Sequence, residues 1–227
     1  MRFTPGLLLP LACATMISAC QDRSPAEPSP PAATDAGATR ATPASAGTAP
    51  RWDASVVWSG DLNACRRDAN AATRECLLDS MRASQASPAA IDAAAQLSSA
   101  GELAFVSAWH ELDGIGVATV VYPFRANTNE GTRLIDSQGK RIDVDADPST
   151  GDTAVDPALQ ALLQAHPGTT PFAPAQSAGS TALEGGGVRL LYITPLRECH
   201  ACADVAKIQI SYDFDAERRF ISRQLQP

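Results

Sequence analysis

Two cysteines near the carboxyl terminus form the motif with the most distinct chemistry in this sequence. Cys199 and Cys202 enclose His200, so their sulfurs could form a disulfide, exchange electrons with another thiol or bind a metal. A c-type haem site is excluded, because haem attachment needs a histidine directly after the second cysteine, where Ala203 stands. A thioredoxin-type site opens a helix early in a βαβ unit, whereas this pair lies late in the chain and precedes a strand-like run.

A run of alternating aspartates has part of the pattern of a calcium-binding loop. Asp143, Asp145 and Asp147 occupy every second position, as the first ligands of such a loop do. However, Pro148 stands where the loop needs a turn glycine, and Ala154 stands where it needs a bidentate glutamate. The run favours a solvated turn that leaves a strand, and we predict no metal and no cofactor.

The stretch 122–131 concentrates side chains that are suited to recognition. It places aromatic rings, a guanidinium group and amides on one predicted turn, and such groups are frequent at binding surfaces. The candidate binding residues are Tyr122, Phe124, Arg125, Asn127 and Asn129. An ordinary hairpin connection, in which Asn and Gly supply the turn, explains the same composition and stays open as an alternative.

Apolar spacing and capping residues predict the helices of the folded region. From 61 to 84 apolar residues recur at helical spacing, and either one helix or a hairpin of two short helices fits the pattern. Ser87 followed by Pro88 predicts a helix over 89–98, because proline is favoured at the first helical position. Leucines at helical spacing predict a further helix over 155–165.

Strand patterns occupy most of the remaining sequence. Branched and aromatic residues indicate strands over the following stretches: 103–106, 115–122, 133–136, 141–144, 188–193, 205–214 and 219–225. The stretch 169–187 is rich in Pro, Gly, Ser and Ala, and we expect a long surface loop there. These elements predict an α+β fold, in which amino-terminal helices pack on an antiparallel sheet of about six strands.

The amino terminus has the form of an export signal. Arg2 precedes an apolar run over 3–16 that is too short to span a bilayer and matches the core of a secretory signal. Ile17-Ser18-Ala19-Cys20 follows, with a branched apolar residue three positions before the cysteine and small residues between them. This stretch resembles the lipobox of bacterial lipoproteins. An ordinary secretory signal with an incidental cysteine is the alternative.

The lipobox resemblance implies three segments. Signal peptidase II would remove 1–19, and Cys20 would carry the lipid. Gln21, where an inner-membrane lipoprotein would carry aspartate, implies attachment to the outer membrane facing the periplasm. The segment 20–50 is rich in Pro, Ala, Ser and Thr and predicts a disordered tether, because it cannot bury a core. The rest, 51–227, is expected to form a single globular domain.

The charge of the chain limits its partners. The formal net charge is −7 at pH 7, without a basic run or aromatic residues interleaved with arginine, so nucleic acid is not an expected partner. No later stretch is apolar for long enough to form a membrane helix, so the lipid is the only expected membrane contact. Peptidoglycan or a periplasmic protein is the expected partner of a domain held in this way.

An oxidising compartment favours disulfides among the four cysteines after Cys20. We expect Cys65 to pair with Cys76 and Cys199 to pair with Cys202. A single straight helix would separate the first two by about 16 Å, at about 1.5 Å per residue, whereas a disulfide needs Cα atoms within about 7 Å. The first bond therefore requires a break in the helix, and cross-pairing between the two pairs stays open.

A tethered binding or interaction module is the function that the sequence favours. No serine lies in a G-x-S-x-G context, and no phosphate loop or dinucleotide fingerprint is present, so we assign no catalytic residue. A thiol-disulfide redox protein that uses Cys199 and Cys202 is one alternative. A hydrolase without a recognisable motif is another.

Overall fold

Helices and strands both contribute to the fold, which is mixed α+β. The computed structural model describes residues 51–67, 72–99, 101–127, 129–153 and 156–226, so the predicted export signal, Cys20 and the tether lie outside the described residues. The helices are α1 (Asn63–Arg66), α2 (Arg74–Ala83), α3 (Pro88–Ser99) and α4 (Pro157–Ala165). The strands are β1 (Phe105–Leu112), β2 (Ile115–Val121), β3 (Glu130–Ile135), β4 (Arg141–Asp143), β5 (Thr170–Pro171), β6 (Gln176–Ala182), β7 (Val188–Arg197), β8 (Ala206–Phe214) and β9 (Phe220–Gln226).

Capping side chains fix where three of the helices begin. The caps are Thr73 for α2, Ser87 for α3 and Asp156 for α4, and each side-chain oxygen accepts a backbone N–H from the first turn. Pro88 takes the first position of α3, where its missing N–H costs no helical hydrogen bond. Among the described residues no helix is long and apolar enough to cross a membrane.

Strands β1 to β4 form sheet A, which is antiparallel and runs in chain order. The turn between β1 and β2 consists of Asp113 and Gly114, whose φ angles are 51° and 82°. Two consecutive positive φ angles are what a type I′ hairpin turn requires, and Asp followed by Gly adopts them readily. Sheet A therefore begins with a tight hairpin, which places β1 and β2 in continuous register from Ala108 to Leu112.

Strands β5 to β9 form sheet B, a second antiparallel sheet. Its strand order is β5, β7, β8, β9, with β6 also paired to β7. The expectation of one sheet of about six strands is therefore wrong. The expected loop over 169–187 is wrong as well, because β5 and β6 lie within it. All seven residues of β6 are exposed, so this strand is held by backbone pairing with β7 and has no alternation of buried and exposed residues.

The two sheets and the helices α1 to α3 pack in three layers, whereas Leu159 of α4 lies in the core between the sheets. In β2, Ile115 and Val117 face the core between the two sheets, which includes Leu190, Tyr212 and Phe214 of sheet B. The alternate residues of β2, such as Ala118 and Val120, belong to the core on the opposite face of sheet A, which includes Trp52 and Ala93 of α3. Sheet A is thus covered on both faces.

Candidate functional site

A polar cleft of about 300 Å³ lies on the helix-facing side of sheet A. We call it the α3 cleft, because the carboxyl-terminal half of α3 forms one wall. Its polar lining residues are Gln96, Glu102, Tyr122, Arg133, Arg141 and Asp143. The side chains of Arg133, Arg141 and Asp143 point into the cleft because they alternate along β3 and β4 with Leu134 and Ile142, which face the core between the sheets.

Arg133 forms the base of the α3 cleft. Its guanidinium donates to the Tyr122 hydroxyl at 2.7 Å and to Oδ1 of Asp143 at 2.5 Å. Arg133 and Asp143 lie directly opposite each other in the β3–β4 register, which brings their side chains together. Because the Arg133 side chain is only 14% exposed, this ion pair is better shielded from water than most surface pairs.

Arg141 forms the wall of the cleft on the side of α3. Its guanidinium donates to the side-chain oxygen of Gln96 and lies 5.1 Å from the centre of the Trp52 ring. The amide oxygen and the ring face hold the cation without neutralising its charge. Neutral groups therefore position Arg141. Among the described residues it forms no ion pair, so its positive charge is available to a ligand.

Glu102 lies at the rim of the cleft, and Arg125 contacts it from outside the cleft. The Arg125 guanidinium lies 3.6 Å from the centre of the Tyr122 ring and forms an ion pair with Glu102. Burial raises the pKa of the Tyr122 hydroxyl, and the nearby Arg133 charge opposes this shift. Tyr122 therefore stays protonated and accepts a hydrogen bond from Arg133 with its oxygen.

The structure separates the five residues predicted to bind a ligand. Tyr122 is buried at the cleft, whereas Arg125 contacts the Tyr122 ring and lines a separate cavity of about 340 Å³ together with Phe124. Phe124 packs against the apolar cluster beneath α2 and α3 instead of facing solvent. Asn127 and Asn129 are exposed on the turn, where the Asn129 carbonyl accepts the Tyr122 N–H at 2.7 Å. The turn alternative accounts for these two asparagines, and of the five residues only Tyr122 lines the cleft.

Sequence reasoning missed Gln96, Glu102, Arg133 and Arg141 as site residues. The sequence of β3 and β4 shows charged and apolar residues in alternation, but charged residues on one face of a strand usually indicate that this face is exposed to solvent. Here α3 covers that face in part, and the covering comes from packing between distant parts of the chain. The charge alternation of the two strands was the one signal that could have identified these residues.

The alternating aspartates are used within the protein itself. Asp143 pairs with Arg133, and the Asp145 carboxylate accepts the backbone N–H of Thr132 at 2.5 Å and of Ala175 at 2.6 Å. Asp147 accepts the backbone N–H of Ser149 at 2.8 Å. Within the described ranges no three His, Cys, Asp or Glu side chains are grouped so that they could hold a metal ion.

The four cysteines form the two expected disulfides. Cys65 bonds to Cys76 with Cα atoms 5.9 Å apart, so 61–84 is not one straight helix. Cys65 is fully buried, and its sulfur lies in the apolar cluster beneath α2 and α3. Cys199 bonds to Cys202 with Cα atoms 5.1 Å apart, in the connection between β7 and β8. This second disulfide closes the tip of a hairpin.

The hairpin tip around Cys199 is open to solvent. Cys199 and His200 are exposed, and Cys202 is half-buried. The ion pair between Arg197 and Asp204, at 2.6 Å, closes the base of the loop. Both sulfurs are thus near solvent, in a loop that begins and ends with strands.

Known proteins give no further guide to the site. Comparison of the chain with protein-family models, with curated proteins and with solved structures finds no match.

Proposed function

We propose that this protein is a lipoprotein of the outer membrane whose folded region is a binding module facing the periplasm. The lipobox-like stretch Ile17-Ser18-Ala19-Cys20 supports the anchor, and the composition of 20–50 supports a tether between membrane and domain. In this proposal α3, one of the amino-terminal helices packed on sheet A, forms one wall of the α3 cleft.

The arrangement of charge in the α3 cleft carries the proposal of binding. Two guanidinium groups, two carboxylates and a phenol line about 300 Å³ of space, on a sheet face that is otherwise apolar core. Small-ligand sites are concave and combine apolar walls with a few fixed polar groups. Arg133 and Arg141 are each held by at least two neighbouring groups, so a ligand would meet donors that are already oriented.

The cleft chemistry suits a ligand that carries carboxylates and amides. Arginine binds a carboxylate with two parallel hydrogen bonds, and Arg141 has no carboxylate partner among the described residues. The stem peptides of peptidoglycan carry such groups, as does an exposed segment of a periplasmic protein. These are the two ligand sources that we propose.

Titration of the intact protein with purified muropeptides tests this proposal. The fluorescence of Trp52, whose ring contacts Arg141, is expected to change on binding. Arg133→Gln is expected to weaken binding by at least about tenfold, because removal of a charge-assisted hydrogen bond costs roughly 1.5–3 kcal/mol. Arg82→Gln, on an exposed face of α2, is the matched control. If neither muropeptides nor a periplasmic extract distinguishes the two variants, the α3 cleft is not the binding site.

The exposure of the Cys199–Cys202 disulfide supports a second candidate function. An accessible disulfide can be attacked by an external thiolate, and His200 lies within the same loop. A redox role predicts that dilute glutathione reduces this disulfide rapidly and that oxidised glutathione restores it. Resistance of the bond to such mild reductants would favour a purely structural disulfide.

A further inference from the structure

A second groove separates the edge strands of the two sheets. Strand β4 is the last strand of sheet A, and β9 is the last strand of sheet B. The groove between them has a volume of about 530 Å³, and we call it the β4–β9 groove. One end is closed where the carboxylate of Asp136 accepts the backbone N–H of Phe220 at 3.1 Å.

Three cations line the β4–β9 groove, and neutral groups hold each of them. Lys140 lies over the Phe220 ring, with Nζ 4.5 Å from the ring centre. Arg223 donates to the hydroxyl of Thr153 at 3.1 Å. Arg141 is the third cation. Among the described residues none of these three makes an ion pair within 4.0 Å, although the chain as a whole carries a net charge of −7.

Elsewhere among the described residues about half of the arginines have acidic partners, so the groove is distinguished by three unpaired cations that line one surface. Arg82, Arg125, Arg189, Arg197 and Arg219 each form an ion pair with a nearby Asp or Glu.

Two carboxylates lie at the groove, and neither forms an ion pair with these cations. Asp136, at the closed end, accepts the backbone N–H groups of Gln138, Lys140 and Phe220. Asp143 lines the groove, but it is already paired with Arg133. The β4–β9 groove is therefore a concentration of positive charge in an acidic protein. Such a patch attracts anionic groups and accelerates their association.

The walls of the groove favour an extended peptide over a compact anion. Edge strands present backbone N–H and C=O groups that a further strand can pair with. Ile221 in β9 lines the groove and is 59% exposed, so it offers an apolar surface that a partner can cover. An inorganic anion or a sugar phosphate would use the cations but neither the strand edge nor the apolar side chain.

We propose that the β4–β9 groove binds an extended, acidic segment of a partner protein. The segment adds to the free edge of β9, places carboxylates on Lys140, Arg141 and Arg223, and covers Ile221. This surface goes beyond the function proposed for the α3 cleft. Lys140 and Arg223 line the groove and not the cleft, so variants at these two positions test the groove alone.

Fluorescence anisotropy with a labelled model peptide tests the proposal on the full chain. The probe is a capped octapeptide of alternating glutamate and valine, whose carboxylates and methyl groups lie on opposite faces when it is extended. The intact protein is expected to bind it saturably, and more weakly as salt is added. Lys140→Gln combined with Arg223→Gln is expected to weaken binding by about tenfold, and Arg67→Gln combined with Arg82→Gln by less than about twofold.

Two further measurements separate strand addition from simple charge attraction. A peptide of the same sequence with methylated backbone nitrogens is expected to bind at least about tenfold more weakly, because it cannot donate to the strand edge. Ile221→Asn, which removes the exposed apolar side chain without changing the charge of the groove, is expected to weaken binding of the unmethylated peptide. Equal binding of both peptides, or equal binding by the groove and control variants, would overturn the proposal. Full competition by inorganic pyrophosphate would overturn it in favour of an anion site.

Discussion

The guanidinium of Arg133 donates a hydrogen bond of 2.7 Å to the hydroxyl of Tyr122. This bond links β3 to the residue that follows β2, and it lies at the base of the α3 cleft. Arg133 also pairs with Asp143 at the end of β4, so this one side chain connects β3 to the ends of both neighbouring strands. The shape of the cleft therefore depends on Arg133.

Tyr122→Phe is expected to lower the free energy of unfolding by about 1 kcal/mol. The substitution removes the oxygen that accepts a hydrogen bond from the largely buried Arg133 guanidinium. A buried N–H group without an acceptor lowers the free energy of unfolding by about 1 kcal/mol or more. Urea denaturation of both proteins measures the difference. Tyr192→Phe is a useful comparison, since among the described residues the Tyr192 hydroxyl has no hydrogen-bond partner. An equal loss in both variants would mean that the Arg133 bond contributes nothing.

Removal of the Cys65–Cys76 disulfide is expected to destabilise the domain more than removal of the Cys199–Cys202 disulfide. The first closes a loop with a sequence separation of 11 residues, and the second a loop with a separation of 3. By restricting the unfolded chain, the disulfide of the longer loop contributes about 3 kcal/mol to the free energy of unfolding, and the disulfide of the shorter loop contributes about 2 kcal/mol. Double alanine variants of each pair, compared by urea denaturation, measure this order. The reverse order would contradict it.

The carboxyl of Asp145 is expected to stabilise the folded domain more at acidic pH than at neutral pH. Burial raises the pKa of its carboxyl above the ordinary value of 3.8, although N–H groups of Ala175 and Thr132 donate to it. The protonated form is therefore favoured in the folded state. Its stabilising contribution is fully present below pH 3.8 and is lost as pH rises through the raised pKa.

The Asp145→Asn variant isolates this effect, because asparagine does not titrate. The free energy of unfolding of the wild type, minus that of the variant, is expected to increase as pH falls from about 7 to about 4. Urea denaturation at steps across this range supplies the difference. A difference that stays constant, or decreases toward low pH, would show that the carboxyl of Asp145 is not penalised by burial.

Cys20→Ala is expected to abolish membrane attachment. Without the thiol no diacylglycerol can be added, so the protein should appear in the soluble fraction or remain as an unprocessed precursor. Fractionation of cells, together with metabolic labelling by a palmitate analogue, measures this. Cys13→Ala is the matched control, because it removes a cysteine of the same leader outside the lipobox. Normal processing and membrane attachment of Cys20→Ala would refute the proposed anchor.

Local patterns in the sequence predict individual elements better than they predict the site. Ser87 and Pro88 predict the start of α3 because capping depends on residues next to one another. The disulfide between Cys65 and Cys76 was predictable because the export signal predicted from the sequence implies an oxidising compartment, where two cysteines close in sequence favour pairing. Strand β6 was not predictable, since its exposed side chains give no periodic signal.

The α3 cleft depends on contacts between distant residues, which local patterns do not encode. Gln96 and Arg141 are separated by 45 positions in the chain, and they meet only because α3 packs on sheet A. Neither residue lies in a motif of its own. The division of the strands into two sheets could not be predicted either, because the spacing of strands along the sequence does not determine which strands pair.

Photo-cross-linking in intact cells tests the central claim, that the α3 cleft is the ligand site, most directly. A photoreactive residue replaces Glu102 at the rim of the cleft or, as the matched control, Asp79 on α2, another exposed acid paired with an arginine. Illumination is expected to attach a muropeptide or one periplasmic protein at position 102 and not at position 79. The yield is expected to fall by about tenfold when Arg133→Gln is added. Equal products at both positions, or none at 102, would contradict the assignment of the cleft.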